Sequence, residues 1–309
     1  MPNEIFKMKK IFTLFLISSI VFVLMACTKE EPKEFNSNQE GIEYYKRSEY
    51  KEALPLLEKA SESGNVMASY YIGEMYRLGK GVSKNDIIAC QNYLKSSEGG
   101  NKKAFLMTGT CFFLGEGIQK DFKEAFKWFK RASDEIDETT QDLSDKRILA
   151  IALTDIYLKG LGTLQDFSEA AKWARRAAEL DDARSQAILA FFLYYGKGIL
   201  QNRTEAKIWA EKSAGQGDSL GQVIMGMLYQ YGEGTDEPDM KKAIDWYEKS
   251  AEKGNPIAQY QLATLYENGN GLPKDPEKAK YYYEQSAKVH SEIPVKALAE
   301  FKAKQKRQN

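Results

Sequence analysis

The sequence predicts an all-α fold, a solenoid of stacked helix–turn–helix units. Two observations predict it: a Gly-x-Gly pair that recurs six times at a nearly constant interval, and apolar side chains at helical spacing on both sides of each pair. The pairs are Gly79/Gly81, Gly115/Gly117, Gly160/Gly162, Gly196/Gly198, Gly232/Gly234 and Gly269/Gly271, with first glycines 36, 45, 36, 36 and 37 residues apart. A period of this length marks a repeat array, in which one unit cannot bury its apolar face alone and neighbours must stack.

The framework around the glycines repeats with them. Three residues before each first glycine stands Tyr76, Phe112, Tyr157, Leu193, Tyr229 or Tyr266, and six before it Gly73, Gly109, Thr154, Ala190, Gly226 or Ala263. Ten or eleven residues after it comes Ala89, Ala125, Ala170, Ala206, Ala243 or Ala279; three further on come Trp128, Trp173, Trp209, Trp246 and Tyr282, with Asn92 the one departure. Val223, Ile224, Met227 and Leu228 follow a helical stripe before a turn, and Ala243, Trp246, Tyr247, Ser250 and Ala251 follow one after it. Each unit therefore reads as a helix, a glycine turn and a second helix. The small residues let the two helices approach, and the aromatic positions are expected to fill the space between successive hairpins. The glycines are expected to adopt positive φ, ending the first helix and reversing the chain. They are not a phosphate loop, which needs a preceding strand and a third glycine.

This pattern resembles the Sel1-like repeat family, a relative of the tetratricopeptide repeats, and Phe105 to Ala132 and Ile224 to Ala251 show it well. The resemblance implies a right-handed α-solenoid. Residues 65–287 hold six such units, and 41–64 read as a shorter, more tetratricopeptide-like hairpin without the Gly-x-Gly loop. Residues 288–309 are expected to supply a capping helix and a basic tail. The 45-residue interval holds nine extra residues, assigned to the acidic stretch Ser133–Asp145. That stretch lacks the register of an EF-hand, so a solvated helix extension or loop is expected.

The first residues differ from the rest. Lys7, Lys9 and Lys10 precede an uncharged apolar run over 11–25, which reads as a secretory signal and is short for a membrane span of about 20 residues. Leu24-Met25-Ala26-Cys27 resembles the lipobox of bacterial lipoproteins. The resemblance implies removal of residues 1–26, acylation of Cys27, a polar tether over 27–40 and a lipid-anchored place in the cell envelope, with the outer membrane expected. Translation could begin at Met1 or at Met8.

Composition narrows the function. Equal numbers of acidic and basic residues, 44 of each, argue against nucleic acid as a partner. A single His, His290, excludes multi-imidazole zinc sites, and no cofactor or metal is expected. Ser48-x-x-Lys51 and Ser250-x-x-Lys253 match one element of penicillin-recognising enzymes, but Ser-Asp-Asn and Lys-Thr-Gly are absent, and Ser250 occupies a helix-packing position. A lactam or cell-wall hydrolase is thus the weakest reading. Cys90 and Cys111 fall near the turn-bearing edge of adjacent units. Cys111 sits at a core position, so two buried free thiols are favoured, with a bridge the alternative.

The positions nine, five and two residues before each first glycine share one helical face. The second and third vary from charged to aromatic: Glu74/Arg77, Thr110/Phe113, Asp155/Leu158, Phe191/Tyr194, Met227/Gln230 and Thr264/Glu267. By resemblance to tetratricopeptide solenoids this face lines a concave groove, with Phe113, Leu158, Phe191, Tyr194 and Met227 as its apolar centre. The alternative is that these side chains pack against the neighbouring unit. The expected function is a monomeric, non-catalytic adaptor that binds a protein or peptide, with an envelope structural or glycan-binding role as the alternative.

Overall fold

The computed structural model describes residues 37–135, 142–234, 237–289 and 292–308, and every regular element among them is helical. The described residues fall into two compact units, one within 37–84 and one from 85 onward.

In the first unit α1 (Ser37–Lys46) and α2 (Tyr50–Glu62) form a hairpin whose turn carries no glycine; Ser48 takes the left-handed conformation instead, at φ 64°. α3 (Val66–Leu78) follows, capped by Asn65 at its start and Gly79 at its end. Ala53, Leu57, Ala60, Ala68, Ile72 and Met75 form the buried seam between α2 and α3.

The second unit opens with α4 (Asp86–Glu98) and a 3-10 turn, Lys102–Ala104. Five hairpin partners follow as pairs: α5 (Phe105–Leu114) with α6 (Phe122–Glu135), α7 (Leu143–Lys159) with α8 (Phe167–Glu179), and α9 (Ala183–Tyr195) with α10 (Arg203–Gly215). Then come α11 (Ser219–Tyr231) with α12 (Met240–Glu252), and α13 (Pro256–Asn268) with α14 (Pro276–Ala287). Within the unit each second helix packs on the next first helix, and α15 (Glu292–Gln308) packs on α14. That is the stacking the repeat demanded.

Local chemistry fixes the helix ends. Asp or Asn side chains at Asp142, Asp182, Asp218 and Asn255 accept from the first free amides of the first helices; Asn85, Asp166, Asn202, Asp239 and Asp275 do so for the second. The two glycines of a pair divide the work. Gly160 ends α7 in the left-handed region at φ 67°, its amide donating to the Ile156 carbonyl. Gly162, also at positive φ, lies against the backbone of the preceding repeat, where a Cβ would overlap the Phe122 carbonyl. Both glycines of each pair take the expected positive φ; the first ends the helix, and the second in addition lets one repeat seat on the last.

The aromatic positions also divide. Trp128 meets Phe105 at 5.5 Å and Tyr282 stacks on Tyr266 at 5.9 Å, both inside one hairpin rather than between hairpins. Phe126 against Tyr157 and Phe167 against Phe192, at 5.5 and 6.3 Å, join successive hairpins. The small position six before the glycine admits a partner ring: Phe129 would lie 2.7 Å from a Cβ on Gly109, and Tyr247 covers Gly226. Where the small residue is Thr154 or Ala190, the matching position holds Ala174 or Ala210. With the N-terminal hairpin of α1 and α2 counted as repeat 1, the extra residues of the fourth repeat lengthen its first helix, which begins at Leu143 and runs 17 residues against 13 in α9. Residues 136–141, the rest of the acidic stretch, lie outside the described residues.

Candidate protein-binding face

The nine-five-two face separates once the helices are packed. The ninth position before the glycine is buried at Leu106, Ala187 and Val223. The second turns into its own hairpin. Phe113 meets Phe129 at 6.1 Å and Phe122 at 5.6 Å, and Leu158 packs on the main core. Gln230 accepts a hydrogen bond from the Tyr247 hydroxyl at 2.8 Å, and Glu267 one from Tyr283 at 2.7 Å. Burial raises the pKa of Tyr247 well above the ordinary phenol value.

Tyr194 follows the same rule. It is only 6% exposed, Arg203 lies over its ring at 5.4 Å, and burial reinforced by the Glu233 carboxylate raises its pKa. Its expected place at the centre of the exposed face is therefore corrected: Tyr194 is a packing residue. Its neighbour Tyr195 takes that place.

The fifth position stays at the surface, together with the residue immediately before the glycine, one helical turn further on. In repeat 5 these are Phe191 and Tyr195, with ring centroids 4.7 Å apart. In the next repeat they are Met227 and Tyr231. The Tyr195 hydroxyl donates to the Met227 sulfur at 3.8 Å, so the two repeats share one patch. Tyr195 is 48% exposed and Tyr231 56%. Partial burial, then the proximity of Tyr231, raises the Tyr195 pKa. The adjoining repeats are polar at the same positions: Asp155 pairs with Lys159 at 3.2 Å, and repeat 7 carries Thr264 and Asn268. Further along, repeat 3 carries Thr110, whose hydroxyl donates to the Leu106 carbonyl at 2.9 Å, beside a half-exposed Leu114. Tyr195 and Tyr231 were missed because the wheel was centred on the ninth position. The available signal was the aromatic residue directly before Gly196 and Gly232.

In the first unit Glu74 and Arg77 pair with each other, the guanidinium donating to both carboxylate oxygens at 3.1 and 2.9 Å. Cys90 and Cys111 form a disulfide with Cα atoms 5.9 Å apart, which corrects the favoured reading of two free thiols. Their Cβ vectors converge because one opens a second helix and the other lies on the first helix seated against it. Ser250 is fully buried and its hydroxyl donates to the Ser219 carbonyl at 2.7 Å; Ser213 and Ser286 tie their own hairpins in the same way. That bond absorbs the Ser-x-x-Lys motif into packing. Among the described residues no group of His, Cys, Asp and Glu is placed to hold a metal, and no helix is long and apolar enough to cross a membrane. Cys27, the segment before it and His290 lie outside the described residues.

Stacked hairpins, glycine-seated turns and a variable first-helix face define an α-solenoid repeat protein of the tetratricopeptide-like class. The Sel1 repeat model matches residues 38–65, 66–101, 106–137, 149–182, 183–218, 219–255 and 256–289, and the chain belongs to the Sel1 repeat family. Sel1-repeat proteins generally act in protein–protein interaction. The chain is similar to the solved Sel1 repeat protein from Oxalobacter formigenes, with 31% identity over 81% of this chain and 98% of that one, at a TM-score of 0.57. It is also similar to a protective antigen of uropathogenic Escherichia coli with an SLR fold, with 28% identity over 85% of this chain and a TM-score of 0.58. The match spans 55%, a little over half, of the E. coli protein's length. No curated protein matches the chain.

Proposed function

We propose that the protein is a membrane-anchored, non-catalytic adaptor of a bacterial cell envelope that holds a protein or peptide partner on the first-helix face of repeats 5 and 6. The observation that carries the reading is the patch of Phe191, Tyr195, Met227 and Tyr231, shared by two consecutive first helices and bordered by polar residues. Half-exposed aromatic side chains beside a methionine have the character of binding anchors, which bury large area at low entropic cost. The anchor is acylated Cys27, and its tether places the array in the envelope as a monomer.

Photo-crosslinking tests the reading. A benzophenone amino acid at Tyr195 of the full chain in intact cells is expected to capture a protein, whereas the same group at Tyr281, on a second helix, captures none. Phe191→Ala with Tyr195→Ala is expected to remove that capture. Equal labelling from both positions would sink the assignment. Sedimentation of the purified protein with peptidoglycan alone, abolished by the same double substitution, would replace a protein partner with a glycan.

A further inference from the structure

The patch on repeats 5 and 6 crosses a joint. At two joints of the second unit the residue between the paired glycines reaches the residue that opens the preceding second helix. Between repeats 4 and 5 it is Lys197, whose ammonium lies 3.9 Å from the centroid of the Phe167 ring. Between repeats 5 and 6 it is Glu233, which pairs with Arg203 at 2.9 Å. The same positions hold Phe122 and Leu161 between repeats 3 and 4, and Met240 and Asn270 between repeats 6 and 7. An ammonium can slide over a ring at little cost, whereas a guanidinium–carboxylate contact is directional. The joint under the patch therefore carries a pair that fixes position closely.

That pair is connected to the exposed tyrosines on both sides. The Arg203 guanidinium lies over the Tyr194 ring at 5.4 Å, and Tyr194 meets Tyr195 edge-on at 4.8 Å. Glu233 follows Tyr231 by two residues, with Gly232 ending α11 between them. The backbone supports the same seating, since a Cβ on Gly234 would lie 2.6 Å from the Arg203 carbonyl oxygen. On the surface, the Tyr195 hydroxyl reaches the Met227 sulfur at 3.8 Å. The Arg203 and Glu233 side chains are 40% and 25% exposed, so salt screens them less than a fully exposed pair.

We propose that Arg203 and Glu233 are positioning residues of the patch. Their ion pair sets Phe191 and Tyr195 of one repeat against Met227 and Tyr231 of the next, so that both repeats present one surface. The inference rests on the reading of that patch as the binding face. Neither residue needs to touch the partner; a surface arranged in advance binds more tightly because less ordering remains to be done on contact.

Methyl NMR of the full chain with labelled methionine tests it. The native chain is expected to show an Overhauser cross-peak between the Met227 methyl and the Tyr195 ring. Arg203→Gln and Glu233→Gln should each lose that cross-peak, and Arg203→Glu combined with Glu233→Arg should restore it. Lys197→Gln, at the neighbouring joint, should leave it in place. Capture by a benzophenone at Tyr195 should fall and return with the cross-peak. Where a single variant loses helicity by circular dichroism, the charge swap decides. The assignment is overturned if the cross-peak survives both single substitutions, if Lys197→Gln removes it equally, if the swap fails to restore it, or if capture persists after it is lost. A native chain that shows the charge-dependent cross-peak yet captures no protein would instead overturn the binding face itself.

Discussion

Along the turn edge, every repeat from the third to the seventh sets its second glycine against the backbone or side chain that opens the preceding second helix. Less than two turns away on the same first helices, the surface residues run Thr110, Asp155, Phe191, Met227 and Thr264. The edge repeats because its neighbour is always another repeat, with the same backbone in the same place. The face varies because no repeat covers it. Two regions of one helix thus answer to different constraints, stacking in one case and exposure at the surface in the other.

The largest effect is expected at the edge. Gly162→Ala combines the left-handed backbone, about 1–2 kcal/mol, with overlap on the Phe122 carbonyl, a further 1–3 kcal/mol or so. Gly160→Ala has the same backbone cost, but its nearest neighbour is 3.1 Å away, so it should lose only about 1–2 kcal/mol. Urea unfolding followed by circular dichroism separates the two. Equal losses would break the division of labour between the glycines.

Next comes the hairpin interior. Gly226→Ala should destabilise by about 1–3 kcal/mol because Tyr247 occupies the space. In a Tyr247→Ala background the sign should reverse, since alanine exceeds glycine in a helix by about 1 kcal/mol. Repeat 5, with Ala190 and Ala210, already shows that combination. A penalty that persists without the ring would refute the pairing.

On the face, Phe191→Ala with Tyr195→Ala should change unfolding stability by about 1 kcal/mol or less, because both side chains are partly exposed. Tyr194→Ala, in contrast, should cost about 3 kcal/mol or more as a buried aromatic truncation. Similar losses would blur the boundary between face and core.

The smallest effect lies between second helices. The Arg175 guanidinium donates to Glu205 at 2.6 Å and holds its pKa below the ordinary carboxylate value. A depressed folded-state pKa stabilises above the unfolded value and is lost as pH falls through the folded one. Solvent screening limits the contribution to a few tenths of a kcal/mol or so. Carbon-detected NMR should show the Glu205 titration moving upward in Arg175→Ala; an unmoved midpoint would remove the ion pair from the account.

Much of this was legible in the chain because sequence period and structural period coincide. The Gly-x-Gly pairs gave the turns, the small and aromatic offsets gave the hairpin faces, and Ser250 announced itself as packing by its place in the series. The face was legible only in part. A helical wheel fixes angles within one helix and leaves its zero undefined, so centring on the ninth position drew in Tyr194 and passed over Tyr195. The cysteines were ambiguous for a related reason: spacing 21 residues apart says nothing about whether two Cβ vectors converge.

By itself, then, the sequence determined the repeat, its helix–turn–helix unit and the stack, because a unit with one apolar face must pair with its neighbours. Tertiary structure alone decided which glycine seats the next repeat, which tyrosine faces outward and that Cys90 meets Cys111. Each of these depends on the rotation and separation of two packed helices, quantities set by side-chain contacts across the joint rather than by the order of residues along either helix.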